Sequence, residues 1–188
     1  YMENVFKSLP RLSKQISAAK GYLLLLDFDG TLASITKNPA RAFLPKINRN
    51  ILKKISRHIP TAVISGRSLA DIKRKINITG LIYAGNHGLE WKIKNQKQAN
   101  VHIPPSMARA LILANKRLNN LCKKFHGALL ENKKITLSLH YRLVKKKLIK
   151  ELLQNARQII SPFIKQRLIN IIFGKKVLEV RPALRWNK

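Results

Sequence analysis

Five consecutive apolar residues, Tyr22–Leu26, run directly into Asp27-Phe28-Asp29-Gly30-Thr31, and few folds accept that junction. A short continuous apolar run reads as a central parallel strand buried on both faces. Open α/β sheets bind their ligands at the carboxyl ends of such strands, which is where Asp27 and Asp29 fall. Gly30 permits a turn that lets both carboxylates face one crevice. Their mutual repulsion is relieved by a shared hard divalent cation with oxygen ligands, and such an ion would also neutralise a phosphate. The alternative is a polar turn closing the strand, with Asp29 making an Asx-turn.

The segments that follow keep the same rhythm as far as Trp91. Ile47, Ile51, Leu52 and Ile55 share one helical face, and Thr61–Ile64 is a second short apolar strand. Ser68 with Asp71 reads as a capping box opening a helix with Leu69, Ile72 and Ile76 inward. Leu81–Ala84 makes a third strand. Strand–helix–strand–helix–strand predicts right-handed βαβ units and a parallel sheet. Beyond Trp91 the pattern changes. Ser106 opens a helix carrying Met107, Ala110, Leu111, Ala114, Leu118 and Leu121. Ile135, Leu137, Leu139 and Tyr141 then alternate with Thr136, Ser138, His140 and Arg142, the period of a half-buried strand with one polar face. A helix with Val144, Leu148, Leu152, Ala156 and Ile159 on one stripe follows, and Ile169–Phe173 and Lys176–Val180 straddle Gly174 as a hairpin. Two helices on an antiparallel sheet form an α+β unit inserted after the third strand. The fold predicted is therefore α/β, a doubly wound parallel-sheet core at 1–91 and 181–188 with an α+β cap at 92–180.

Thirty-eight basic and eight acidic side chains give a formal net charge of +30. Nucleic acid is one partner that such a charge suits. The basic residues are spread through every segment, however, and aromatic side chains are only 6%, too few to serve as base-stacking platforms. The same charge attracts small anionic substrates. A single cysteine, Cys122, excludes a disulfide framework and suits a reducing, cytoplasmic setting. No apolar run is long enough for a membrane span, and the basic amphipathic stretch Tyr1–Lys20 lacks a signal-peptide core. A first residue other than methionine suggests an internal fragment.

The next strand ends in Ser65-Gly66-Arg67, where a hydroxyl at a strand end and the start of a helix suit a phosphate oxygen; a simple helix cap is the other reading. Asp27-Phe28-Asp29-Gly30 followed by Ser65-Gly66-Arg67 resembles the first two motifs of the haloacid dehalogenase superfamily of phosphatases. The resemblance implies Asp27 as the nucleophile that forms an aspartyl-phosphate, Asp29 as the acid and then base, Ser65 as a phosphate donor, and Mg2+ held by Asp27 and Asp29. Lys188, after Glu179-Val180-Arg181-Pro182 and Trp186-Asn187, stands where the third motif's lysine is expected; taken alone it reads as an exposed terminal lysine. The fourth, acidic motif is expected beyond Lys188, which would leave the core incomplete.

Further pieces resemble the trehalose-6-phosphate phosphatase family and occur in its order: Tyr83-Ala84-Gly85-Asn86-His87-Gly88-Leu89-Glu90, Leu130-Glu131-Asn132-Lys133, His140-Tyr141-Arg142 and Val177-Leu178-Glu179-Val180-Arg181-Pro182. That resemblance, from about Leu23 to Lys188, implies hydrolysis of trehalose 6-phosphate to trehalose and phosphate. It implies a grip by Glu131, Lys133 and Glu179 on the distal glucose, with Gly66, Arg67, Asn86, His87 and Arg142 as further substrate contacts. Without it, Glu131, Lys133 and Glu179 read as surface ion pairs, His87 as a core histidine bonded to backbone, and Arg142 as a solvated side chain. The family also implies fusion or association with a trehalose-phosphate synthase. Two rival readings are another capped sugar-phosphate phosphatase, acting for instance on sucrose phosphate or mannosyl-phosphoglycerate, and a catalytically silent basic module that binds polyanions. The Glu-x-Lys and His-Tyr-Arg pieces oppose the first. The adjacent carboxylates Asp27 and Asp29, held in a strongly basic chain, oppose the second.

Overall fold

The computed structural model describes residues 7–19, 21–36, 39–94 and 96–184; Lys188, expected as the third motif, lies outside them. After α1 (Leu9–Ala18), three strands alternate with two helices: β1 (Leu24–Asp27), α2 (Lys46–Ile55), β2 (Thr61–Ile64), α3 (Leu69–Ile76) and β3 (Ile82–Gly85). The three strands pair in parallel, β1 with β2 and β2 with β3. The chain then reverses through β4 (Glu90–Lys92) and β5 (Ala99–Asn100), which extend the same sheet antiparallel, giving the order β1-β2-β3-β4-β5. The division read after Trp91 thus falls within β4.

Helix α3 forms as its sequence dictates. The Ser68 hydroxyl accepts from Asp71 N–H at 3.3 Å, Leu69, Ile72 and Ile76 are buried, and Asn77 ends the helix in a left-handed conformation. The edges of this sheet differ from expectation. The apolar run was read as a central strand, yet among the described strands β1 pairs only with β2, and Leu23 and Leu25 are more than half exposed. On α2 the apolar stripe forms, but only Leu52 is buried while Ile47 and Ile51 face outward. An apolar run or stripe records which surface a segment is able to bury, and carries no information about which neighbours lie alongside it.

The second sheet is built from β6 (Leu129–Asn132), β7 (Leu137–His140), β8 (Ile169–Gly174) and β9 (Val177–Pro182), antiparallel in the order β6-β7-β9-β8. Helices α4 (Pro105–Cys122) and α5 (Lys146–Lys165) cover one face, closing a core of Leu118, Leu139, Leu152, Ile160, Leu178 and Val180, each fully buried. Ser106 sits one residue inside α4, whose first residue is Pro105, as suits a proline at the start of a helix. The period-two pattern of β7 holds, but part of its polar face is covered, while Arg142 beyond its end is exposed. Thr136 and Ser138 are buried, because that face turns toward the first sheet, where the Thr136 hydroxyl donates to Asn86 Oδ1 at 2.7 Å.

Candidate active site

The first wall is made at the end of β1. Phe28 is wholly buried, and its carbonyl accepts from the amides of Leu32 and Ala33 at 3.0 and 2.9 Å. Gly30 N–H closes the loop on Ala33 O at 2.7 Å, with Gly30 at φ +93°, a region that glycine enters without steric cost. Asp27, half-buried as the last residue of β1, and Asp29, 40% exposed at its side chain, therefore leave the same strand end. The Asp29 carboxylate is already gripped. Arg67 Nε and Nη2 donate to its two oxygens at 2.8 and 2.7 Å, the bidentate geometry that guanidinium and carboxylate favour. Arg67 also donates to Asp71 and to Pro39 O, each at 2.9 Å, and its guanidinium lies 5.4 Å from the centre of the Phe28 ring. Burial pulls the Arg67 pKa down, but bonds to Asp29 and Asp71 raise it above the ordinary value.

The Ser65-Gly66-Arg67 loop is held through all three of its carbonyls. His87 N–H donates to Ser65 O at 2.9 Å and Asn86 N–H to Arg67 O at 2.7 Å. Lys133 Nζ, reaching across from the β6–β7 turn, donates to Gly66 O at 2.9 Å. The Ser65 side chain is buried and its hydroxyl accepts from Arg67 N–H at 3.2 Å. Asn86 and His87 both adopt positive φ, 49° and 58°, a conformation that Asn and His enter more readily than other side chains do. Asn86, fully buried, donates to Glu90 Oε1 at 2.6 Å. The same Glu90 oxygen accepts from Leu69 N–H at the start of α3 at 2.7 Å. Asn86-His87-Gly88-Leu89-Glu90 is thus a corner that ties β3, α3 and the loop together.

The opposite wall is the polar face of the second sheet. Register sets Glu131 opposite Ser138 and Ser138 opposite Glu179, so the two glutamates stand on one face of adjacent pairs. Glu131 accepts from His140 Nε2 at 2.9 Å, and Lys133 Nζ lies 3.9 Å from Glu131 and 3.8 Å from Glu179. Glu179 faces His87 Nε2 at 3.0 Å and is bonded by Arg181. Burial pushes the Glu179 carboxyl up, but the bonds from His87 and Arg181 outweigh it and hold its pKa at about 2. Glu131 is also held below its ordinary value: burial opposes the shift, and His140 and Lys133 produce it.

Between the walls runs a cleft of about 370 Å³, within the range of small-molecule sites. Asp29, Gly66, Arg67, Glu131, Lys133, Arg142 and Glu179 line it. Arg142 is exposed there and donates to Lys175 O at 3.2 Å. Asp27 is half-buried beside it, Ser65 and Asn86 are buried, and the His87 side chain is 21% exposed. Sequence reasoning passed over His140, which holds Glu131, and Arg181, which holds Glu179. Each stands two residues from a singled-out position, Arg142 and Glu179, on the same strand face, and that spacing was the available signal. Ile35, Leu129 and Leu143, all more than half exposed, border the cleft as well; isolated exposed apolar residues carry no signal of this kind in a sequence. Among the described residues no three His, Cys, Asp or Glu side chains are gathered as a metal cluster. The hard carboxylate oxygens of Asp27 and Asp29 still fit magnesium, which keeps several of its waters and needs only one or two carboxylates from the protein.

Glu179 gives this geometry a pH signature. A carboxyl held below its ordinary 4.5 in the folded protein contributes stability at pH above that value and loses the contribution as pH falls from 4.5 toward 2. Glu179→Gln is expected to flatten the fall of the urea midpoint across that window, read by chemical denaturation at stepped pH. A variant whose acid limb matches the parent's would mean that these bonds add nothing to the fold.

The chain matches the trehalose-phosphatase family model over residues 25–188. It is 34% identical over 184 residues to "Probable trehalose-phosphate phosphatase D" of Arabidopsis thaliana, covering 93% of this chain and 48% of that protein. It is 30% identical to trehalose-phosphate phosphatase B of the same plant, covering 92% and 48%. Among solved structures it resembles the C-terminal domain of trehalose-6-phosphate phosphatase from C. albicans at a TM-score of 0.81 and 24% identity, covering 93% of this chain and 61% of that one. The chain spans about half the length of the curated relatives it matches.

Proposed function

The chain belongs to the trehalose-phosphatase family, and on that premise we propose that the full-length protein hydrolyses trehalose 6-phosphate to trehalose and phosphate. What supports this is the unlike composition of the cleft's two walls. One wall presents Asp29, Gly66 and Arg67 beside a strand end, and the other presents Glu131, Lys133 and Glu179. The first set suits a phosphoryl group. The second suits a neutral sugar, whose hydroxyls are bound by charge-assisted hydrogen bonds.

In this reading Asp27 attacks phosphorus, forming an aspartyl-phosphate as the bond to the sugar oxygen breaks. Asp29, once it has taken up a proton and loosened its bidentate pair with Arg67, gives that oxygen the proton, then takes one back from the water that hydrolyses the intermediate. Arg67 orients Asp29 through both carboxylate oxygens, and Ser65, held by its own loop, is placed to donate to a phosphate oxygen. Asp27 and Asp29 would hold magnesium, which when bound offsets the negative charge gathered around phosphorus. We read the first sheet as a catalytic core and the second as a cap. We place the protein in the cytoplasm, fused to or associated with a trehalose-phosphate synthase. A lone cysteine suits that compartment, and burial pushes the Cys122 thiol pKa up, lowering its thiolate fraction.

Glu131→Ala and Glu179→Ala are expected to lower kcat/KM for trehalose 6-phosphate by about ten- to a hundredfold, the weight of one charge-assisted hydrogen bond. An aryl phosphate has no distal sugar and should lose far less. Lys133→Ala should impair both substrates, because its ammonium also holds the Gly66 carbonyl on the phosphate side. Equal losses on both substrates for the two glutamate variants would make those residues structural and remove the basis for a sugar-binding wall.

A further inference from the structure

We propose that His87 is a positioning residue that sets the Glu179 carboxylate for the sugar; this rests on the reading of Glu179 as a sugar contact. The His87 side chain, 21% exposed, lies between Gly66 and Glu179, both of which line the cleft. Its ring lies against Gly66 so closely that a Cβ there would stand 2.7 Å from Nε2 and 2.8 Å from Cε1. Glycine at 66 therefore leaves a slot through which the imidazole passes from the core corner to the cap.

At the end of that slot Nε2 lies 3.0 and 3.3 Å from the two oxygens of Glu179. A carboxylate has no proton to give, so Nε2 carries the hydrogen and donates. The ring is anchored at its own backbone, whose amide is bonded to Ser65 O at 2.9 Å and whose φ is 58°. Arg181 grips Glu179 from its own strand, and Lys133 Nζ stands 3.8 Å away. Both belong to the second sheet and its turns. Among the described residues His87 is the first-sheet side chain that bonds Glu179 directly, while Lys133, bonded to Gly66 O at 2.9 Å and 3.8 Å from Glu179, bridges the same walls from the cap side. His87 thus helps tie the rotamer of the sugar-side carboxylate to the position of the phosphate-side loop. A contact made from a preorganised group is worth more than one the substrate must first organise.

The test is a double-mutant cycle in the full-length protein, with kcat/KM measured for trehalose 6-phosphate and for p-nitrophenyl phosphate. His87→Leu keeps bulk over Gly66 and removes the donor, while His87→Gln keeps an amide donor of similar reach. His87→Asn is a second donor-short variant that tolerates the left-handed backbone if the leucine fails to fold. The expectation is that His87→Leu lowers the preference for trehalose 6-phosphate over the aryl phosphate about tenfold, and that His87→Gln restores most of it. Combining His87→Leu with Glu179→Ala should cost no more than Glu179→Ala alone, within about twofold. Multiplying losses in the double variant, or equal losses on the two substrates, would overturn the proposal. If Glu179→Ala alone leaves the preference unchanged, the sugar-side reading of Glu179 fails and takes this proposal with it. If Glu179→Ala abolishes the preference and the cycle is additive, only the role of His87 fails.

Discussion

Asp27→Asn is expected to lower phosphate release by at least about a thousandfold, with far-UV circular dichroism and thermal midpoint unchanged. The amide fills the same volume at the end of β1, so the parallel pairing of Asp27 with Ile64 and the Phe28 anchor beside it persist. Carboxamide oxygen is a poor nucleophile toward phosphorus, and no covalent intermediate forms from it. Losing one of two neighbouring carboxylates also relieves repulsion, so stability should hold or rise slightly. Retention of a tenth of the parent activity would place the nucleophile on another residue.

Stripping divalent cations is the second large effect. Treatment of the full-length protein with a chelator is expected to abolish turnover, and added magnesium to restore it. Asp29 already has a cation in Arg67, at 2.7 and 2.8 Å, so within the resting site its charge is partly compensated. Bringing a phosphate dianion against Asp27 and Asp29 adds negative charge that one guanidinium cannot balance, and that excess is what calls for a metal. Phosphate release that survives chelation undiminished would contradict the assigned chemistry, and Arg67 would then be the main source of positive charge.

Local chemistry was legible in the sequence wherever one segment makes a contact with itself. The Asp27-to-Gly30 turn, the Ser68 cap with the Leu69, Ile72, Ile76 stripe, and the hairpin around Gly174 depend on residues only a few positions apart. What escaped is set by distant partners. The run before Asp27 reads as central, yet β1 lies at the edge of the described sheet. Alternation in β7 correctly assigns faces, but only the fold shows that Thr136, on the polar side, is buried against Asn86, fifty positions away. Asn86 and His87 look like substrate contacts on the strength of their motif. The structure sets them in a corner held by backbone bonds, Glu90 and Thr136, with the His87 ring against Glu179. Lys133 looks like a free sugar ligand, and its ammonium reaches 67 positions back to the Gly66 carbonyl.

Substrate preference measures most directly whether a sugar-binding wall faces a phosphate-binding one. Phosphate release by the magnesium-loaded, full-length protein should be compared for trehalose 6-phosphate, sucrose 6-phosphate, mannosyl-phosphoglycerate and glucose 6-phosphate. kcat/KM for trehalose 6-phosphate is expected to exceed each of the others by about a hundredfold or more, since only that ester sets a distal glucose, 1,1-linked to the phosphorylated glucose, against Glu131, Lys133 and Glu179. Comparable rates on all four, or a higher rate on a different sugar phosphate, would contradict that arrangement.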